Sequence, residues 1–405
     1  MTAANSGLRP TLLLCCAEIL GLAGIATFPA LLPRFLELWQ LSHTEAGWIN
    51  AVYFGAYVLA VPLLSGMTDR IDARYILLFG MSTAVVAGVG FAVAARGFWT
   101  ALVFRMLAGV SLAGIYMPGL KLVGDCTEGP KQSRYVSFYT ASFALGCSLS
   151  YLMAGEVESR FGWQWAFLTA GASGAVALCL VAAWIPRGQT RVASEGGLWR
   201  DFLPVLRSSR VMGYVLGYAA HMWELFAMRS WIVAFLFHAR ALQPGEAFAW
   251  TPAQVAFLIN LLGLPASVGG NELSRMFGRR KVIVTVMCLS VTTGSVIGFL
   301  APGGYALVTV LSIVWGIWVL GDSASLIAGS VSEAPKGYRG ATLAVHSTLG
   351  FGSAFLSPLA VGVVLDLTAH TGSAGWGPAF LVMVAGCALG PLALFLCGSG
   401  SRTRR

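Results

Sequence analysis

The sequence predicts an all-α polytopic membrane protein: twelve transmembrane helices in two pseudo-symmetric six-helix bundles. Three observations predict it. Of 405 residues, 57% are hydrophobic and only 11% charged, whereas a soluble domain carries about a quarter charged residues. The apolar residues fall into about twelve runs, each near the ~20 residues that a helix needs to cross a hydrocarbon core. Finally, polar loops recur at one register. E-G-P-K-Q-S-R at Glu128–Arg134 returns as E-A-P-K-G-Y-R at Glu333–Arg339, 205 residues later, and Arg74 of the hairpin Ser65–Arg74 falls on Arg280 of Asn271–Lys281, 206 residues later. Both copies have the same sidedness, which makes the halves parallel repeats. The chain therefore divides into a bundle over 1–185, a linker over 186–210 and a second bundle over 211–405.

The spans run over roughly 10–33, 45–65, 75–95, 98–120, 135–156, 163–184, 211–237, 252–270, 281–301, 305–328, 340–365 and 377–397. Pro29, Pro62, Pro118, Pro265 and Pro358 fall within or near them, which packed membrane helices tolerate because neighbours re-satisfy the freed carbonyls. The first run follows a single Arg and has no convincing cleavage site, so it reads as a retained helix. The linker predicts a short surface helix around Trp199–Leu206. Most of the eight cysteines lie inside apolar runs without metal-ligand spacing, and neither a disulfide framework nor a metal or other cofactor is expected.

The net charge of +9 would suggest nucleic acid in a soluble protein. Here the cations alternate by loop. Arg70, Arg74, Lys121, Arg134, Arg187, Arg210, Arg279, Arg280, Lys281, Lys336 and Arg339 share one side, while the opposite loops hold only Arg34, Arg96, Arg160 and Arg240. This is the positive-inside asymmetry. It places both termini in the cytoplasm of a multi-pass protein of the cytoplasmic membrane, with no nucleic-acid partner.

S-G-M-T-D-R-I-D-A-R at Ser65–Arg74, with Ser65, Asp72 and Ala73 departing from the pattern, is similar to the loop signature G-x-L-A-D-R-x-G-R-R of the major facilitator superfamily. F-R-M-L-A-G at Phe104–Gly109 resembles the pattern of the fourth span, with Arg105 as its arginine, and F-G-W-Q-W-A-F at Phe161–Phe167 resembles the start of the sixth. G-C-S-L-S at Gly146–Ser150 lacks the Gly-Pro signature typical of drug/proton antiporters. The resemblance implies a transport cycle of alternating access, with spans 1, 4, 7 and 10 lining a central cavity. It also implies gating roles for Asp69, as a latch of the inner gate, and for Asp125, in a charge relay. Ala73 replaces the relay's usual arginine, so the relay runs through Arg70 or Arg74. Arg279 and Arg280 are the counterparts in the second half.

A charge at mid-membrane costs at least ~2.5–3.5 kcal/mol, so each one needs a reason. Glu18, Arg105, Glu224, Arg229 and Asp322 all fall on spans 1, 4, 7 and 10, and none falls on spans 3, 6, 9 or 12. Glu18 and Glu224 are 206 residues apart, which makes them repeat mates expected to face each other across the pseudo-two-fold axis. Carboxyls that lose water and repel one another suit proton carriage. His221 lies one helical turn before Glu224 and joins them. Arg105 can take a substrate carboxylate as a planar fork, or pair with one of the two glutamates. Asp322, His346, Trp223, Trp315, Trp318 and Tyr116 complete the candidate substrate cavity. For each charge the competing reading is a structural pair that holds helix register, and for Arg229, near an outer end, snorkelling to water is favoured.

These residues predict a secondary transporter, working as a monomer, that moves a small organic solute, anionic if Arg105 binds it, with coupling to protons. No phosphate-cradling glycine loop and no nucleophile–base constellation points to an ATPase or an enzyme. The alternatives are a multidrug/proton efflux antiporter, favoured by an aromatic cavity with scattered carboxylates, and a non-transporting sensor on the same scaffold, which would need no mid-membrane acids.

Overall fold

The computed structural model describes residues 7–127, 131–187, 198–243 and 249–398. The termini, Glu128–Pro130 of the first repeat motif, 188–197 of the linker and 244–248 lie outside the described residues. Among the described residues the chain is helical throughout, without strands. In the first half the helices are α1 (Leu8–Gly21), α2 (Thr27–Ala30), α3 (Leu32–Leu38), α4 (His43–Met67), α5 (Ala73–Ala94), α6 (Phe98–Asp125), α7 (Lys131–Phe161) and α8 (Trp163–Trp184). In the second they are α9 (Leu198–Arg207), α10 (Ser209–Ala241), α11 (Pro252–Phe277), α12 (Arg279–Ile297), α13 (Tyr305–Gly321), α14 (Ser323–Ser332), α15 (Arg339–Leu367) and α16 (Trp376–Gly398). Ten segments are long and apolar enough to cross a membrane. The broken α1–α3 and the 33-residue α10 supply the first and seventh of the twelve spans read from the sequence. The protein is a multi-pass integral membrane protein.

By contacts the chain falls into two units, Met1–Leu41 with Val52–Ser194, and Ser42–Ala51 with Glu195–Arg405. In the first unit, α5 crosses α6 where Gly80 meets Gly114, and a Cβ on Gly80 would lie 2.6 Å from the Gly114 carbonyl carbon. Glycine at both positions is what lets the two backbones touch. Phe91 and Phe167 stack with centroids 3.9 Å apart, and Phe28, Phe35, Trp39 and Trp163 close the aromatic cluster around them. In the second unit, α10 is the central staff. Val211, Val215, Met222, Ala227, Trp231 and Phe235 on it are buried. α9 forms where the sequence places a linker helix, and buries Val205 against Val211, Val215 and Val345.

Span 1 is not one helix. α1 ends at Gly21, and Leu22–Ala26 run as turns before α2 begins. Pro29 has no N–H to return to the carbonyl four residues back, which is that of Ile25. The freed Ile25 oxygen accepts instead from Arg105 Nη1 of α6 at 3.3 Å. Ser150 of α7 satisfies two more groups of the break, donating to the Ala23 carbonyl at 2.6 Å and accepting from the Ala26 N–H at 3.0 Å. Non-helical backbone at membrane depth persists only where protein or a cavity takes up its hydrogen bonds.

Candidate functional site

Each unit holds its own buried polar group. In the first, Glu18 is fully buried on α1, and Ser142 of α7 donates to its Oε2, leaving Oε1 without a partner. Further along, at the break, stands Arg105, 2% exposed. Its guanidinium carbon lies 4.4 Å from the ring centroid of Tyr53 and 5.8 Å from that of Phe28, and its Nε has no hydrogen-bond partner. Among the described residues no carboxylate lies within ion-pair distance of it, and its ionisable neighbours are the phenols of Tyr53 and Tyr151. A cavity of about 30 Å³ opens beside it, lined by Gly24, Tyr53, Phe91, Phe104 and Phe167. That is room for about one water. The sequence leaves open whether Arg105 pairs with an acid of its own unit, and Glu18 is taken by Ser142 instead.

In the second unit the predicted residues fall into two adjoining clusters. Glu224, 1% exposed, accepts through Oε1 from Ser290 Oγ of α12 at 2.9 Å and from Trp315 Nε1 of α13 at 3.0 Å. Trp315 thus holds the carboxylate, a role its sequence position does not suggest. One turn earlier, His221 Nδ1 lies 2.7 Å from Asp322 Oδ1, both nearly inaccessible to solvent. Asp322 occupies the break between α13 and α14, so span 10 is interrupted at its acid. The Tyr218 ring stacks on His346 with centroids 3.8 Å apart, and His346 Nδ1 meets Ser330 Oγ at 2.9 Å. Trp223 donates to the Val382 carbonyl at 2.9 Å, Trp318 is half-buried, and Arg229 donates to Asn260 at 2.8 Å. Tyr116, in the first unit, packs against Phe143.

The hairpin residues are engaged inside their own units. Asp69 accepts from Lys121 Nζ at 3.0 Å, Asp72 caps α5 by accepting from the Arg74 N–H at 2.9 Å, and Arg74 Nη2 donates to the Ala182 carbonyl at 2.7 Å. Arg70 and Asp125 are exposed. Arg279 donates to Ser332 Oγ at 2.8 Å, and Arg280 lies over Tyr214. Sequence reasoning missed Ser142, Ser150, Ser290, Lys121 and Asp366 as partners. Serines inside apolar helices give no signal of their own, because their importance depends on which carboxylate or carbonyl stands opposite.

Comparison with known proteins adds to this geometry. The sequence model of the Major Facilitator Superfamily matches residues 13–358. The chain belongs to the Major Facilitator Superfamily. Within the superfamily it is similar to human protein spinster homolog 1, with 25% identity over 282 residues, which is 65% of this chain and 53% of the human one. The chain spans about half the length of the curated relatives it matches. Two solved structures share the fold. One is a bacterial homolog to the human lysosomal transporter Spinster in an inward-facing and occupied conformation, with a TM-score of 0.81, 13% identity and 98% of both chains covered. The other is a mutant form of the nucleoside transporter NupG, with a TM-score of 0.74, 13% identity, and 96% of this chain and 99% of that one covered.

Proposed function

We propose that the protein is a proton-coupled secondary transporter of a small organic anion, cycling by alternating access as a monomer in the cytoplasmic membrane. Membership of the superfamily supports transport over catalysis. The observation that carries the choice of an anion is Arg105, a buried guanidinium with aromatic faces around it and no carboxylate in reach among the described residues. A buried charge without a counter-charge is expensive, and an incoming carboxylate or phosphate offsets that cost with charge-assisted, bidentate hydrogen bonds. The cavity beside it holds no more than a water, so binding requires movement of the broken stretch Leu22–Ala26. Discontinuous spans are where this class of fold binds its solutes.

The proton side of the reading rests on Glu18 and Glu224, each buried and hydrogen-bonded within its own unit. Their partners are hydroxyl, indole and thiol groups rather than cations, so either carboxyl can hold or release a proton without breaking an ion pair. The test is uptake into proteoliposomes under an imposed pH gradient, with organic carboxylates, sulfonates, neutral solutes and amphiphilic cations offered in parallel. Accumulation of anions is expected, with Arg105→Lys weakening it by about 10- to 100-fold, the loss that follows when a charged hydrogen-bond pair of about 1.5–3 kcal/mol is misaligned. Accumulation of cations, with anions excluded, overturns the anion reading and favours the efflux antiporter. Wild-type affinity in Arg105→Lys overturns the role of the planar fork.

A further inference from the structure

The start of α12 carries a conflict that the first unit does not have. A helix N-terminus holds a partial positive charge and favours anions. α12 nevertheless opens Arg279-Arg280-Lys281, three cations in its first turn. Its N-cap is Gly278 at φ +96°, and no side chain caps the exposed amides. The repeat-equivalent position in the first unit is Asp72, whose carboxylate caps α5. There the nearby cation Lys121 is matched by Asp69 at 3.0 Å. The second unit has replaced both carboxylates, with Gly278 for Asp72 and Arg275 for Asp69, and it has added cations at Arg279 and Lys281.

These groups line one open cavity of about 530 Å³, bounded by Arg210, Tyr214, Phe277, Gly278, Arg279, Arg280, Lys281 and Glu333. Arg210 at 3.9 Å from Glu333 is a loose pair, and both are partly exposed. Arg279 is held by Ser332, and Arg280 lies 5.9 Å from the centroid of Tyr214. Glu272 of α11, the other acid of the hairpin, is engaged by Arg275 at 3.1 Å. Four cations therefore face the cavity against one acid. The cavity lies where α11 ends and α12 begins, and both are candidate spans, which puts it at the depth of lipid headgroups. Beside it Leu273, Met276 and Phe277 are 47%, 72% and 62% exposed, an apolar strip running down α11 from the cations.

We propose that this cavity binds the phosphate of an anionic phospholipid, with the acyl chains lying along the exposed face of α11. A phosphate supplies at the N-terminus of α12 the negative charge that Asp72 supplies to α5, and helix amides and basic side chains together suit it. Basic pockets between spans are a recurring mode of anionic headgroup recognition. The excess of positive charge selects against zwitterionic lipids, whose own cation would enter the same field, and the apolar strip selects for a lipid over a free phosphate. The inference does not depend on what the protein transports.

The test is native mass spectrometry and thermal shift of the full chain in an uncharged detergent. It is titrated with phosphatidylglycerol, with phosphatidylcholine of equal chain length, and with inorganic phosphate or glycerol 3-phosphate. Phosphatidylglycerol is expected to bind and to raise the melting midpoint, less so as salt increases, while phosphatidylcholine and the soluble phosphates do neither at equal concentration. Each cation near an anionic headgroup is worth roughly a 5-fold change, so Arg280→Gln with Lys281→Gln should raise the half-saturation concentration roughly 30-fold. The charge-matched control Arg70→Gln with Arg187→Gln should leave it in place. Should the double variant fail to fold, Lys281→Gln alone removes a solvent-facing cation and should still weaken binding roughly 5-fold. An unchanged half-saturation in these variants overturns the site, and equal stabilisation by inorganic phosphate overturns the lipid in favour of a soluble anion.

Discussion

Glu18 and Glu224 stand at equivalent places in the two repeats, yet they are held by unlike partners, one serine hydroxyl for Glu18 against a serine, an indole and the Cys387 thiol for Glu224. Glu224 is therefore the better-defined carboxylate, and its chemistry can be tested without wrecking its surroundings. In Glu224→Gln the amide oxygen still accepts from Ser290 and Trp315, so folding should survive, with a thermal midpoint in detergent close to that of the parent. If Glu224 carries the coupling proton, the variant loses accumulation against a gradient while retaining solute exchange at equal pH. Continued accumulation driven by a pH gradient in Glu224→Gln would remove the residue from coupling. Asp322 makes the opposite prediction. Asp322→Ala leaves His221 buried without its partner, and a buried polar group stranded in this way costs about 1–3 kcal/mol, so this variant should lower the unfolding midpoint. Asp322→Asn, which keeps the side chain's size and polarity beside His221, should lower it less.

Elements are joined here by groups that one helix leaves unsatisfied and another supplies. Pro29 frees the Ile25 carbonyl and Arg105 takes it, so a proline in span 1 and an arginine in span 4 are a single device. The first turn of α4 shows the same principle. Asp366, near the end of α15, accepts from the His43 N–H at 2.9 Å, the Thr44 N–H at 2.8 Å and His43 Nδ1 at 2.8 Å. A carboxylate that caps a helix also meets its macrodipole favourably. Asp366→Ala should therefore destabilise the protein by about 0.5–2 kcal/mol, the usual cost of losing a cap, read as a lower thermal midpoint. Asp366→Asn, which keeps an acceptor but not the charge, should recover part of the loss. No difference between Asp366→Ala and the parent would mean that water replaces the cap at no cost.

For the whole molecule the governing quantity is where the charge lies. Cations collect in alternate loops, and a membrane protein inserted by the positive-inside rule keeps those loops in the cytoplasm. Arg96 and Arg187 are both exposed and belong to opposite sets. In a variant freed of its native cysteines, a cysteine replacing Arg96 should react with a membrane-impermeant thiol reagent in intact cells. One replacing Arg187 should react only after the membrane is opened. The reverse pattern would invert the topology, and labelling of both in intact cells would refute the count of spans between them.

The sequence by itself determined the class, the order and approximate places of the spans, and the residues worth asking about. Hydrophobic length is a one-dimensional property, as the agreement at α8, read as 163–184 and found as Trp163–Trp184, illustrates. The cost of an intramembrane charge likewise singles out Glu18, Arg105, Glu224 and Asp322 without any structure. What only the tertiary structure decided is partnership. That His221 belongs to Asp322, that Trp315 holds Glu224, and that Lys121 rather than an arginine answers Asp69 depend on which helix faces which. The interruption of span 1, read from the sequence as one run over 10–33, is seen only in the fold, where donors on α6 and α7 take up the freed groups. A proline states which carbonyl is freed, and the fold alone supplies what binds it.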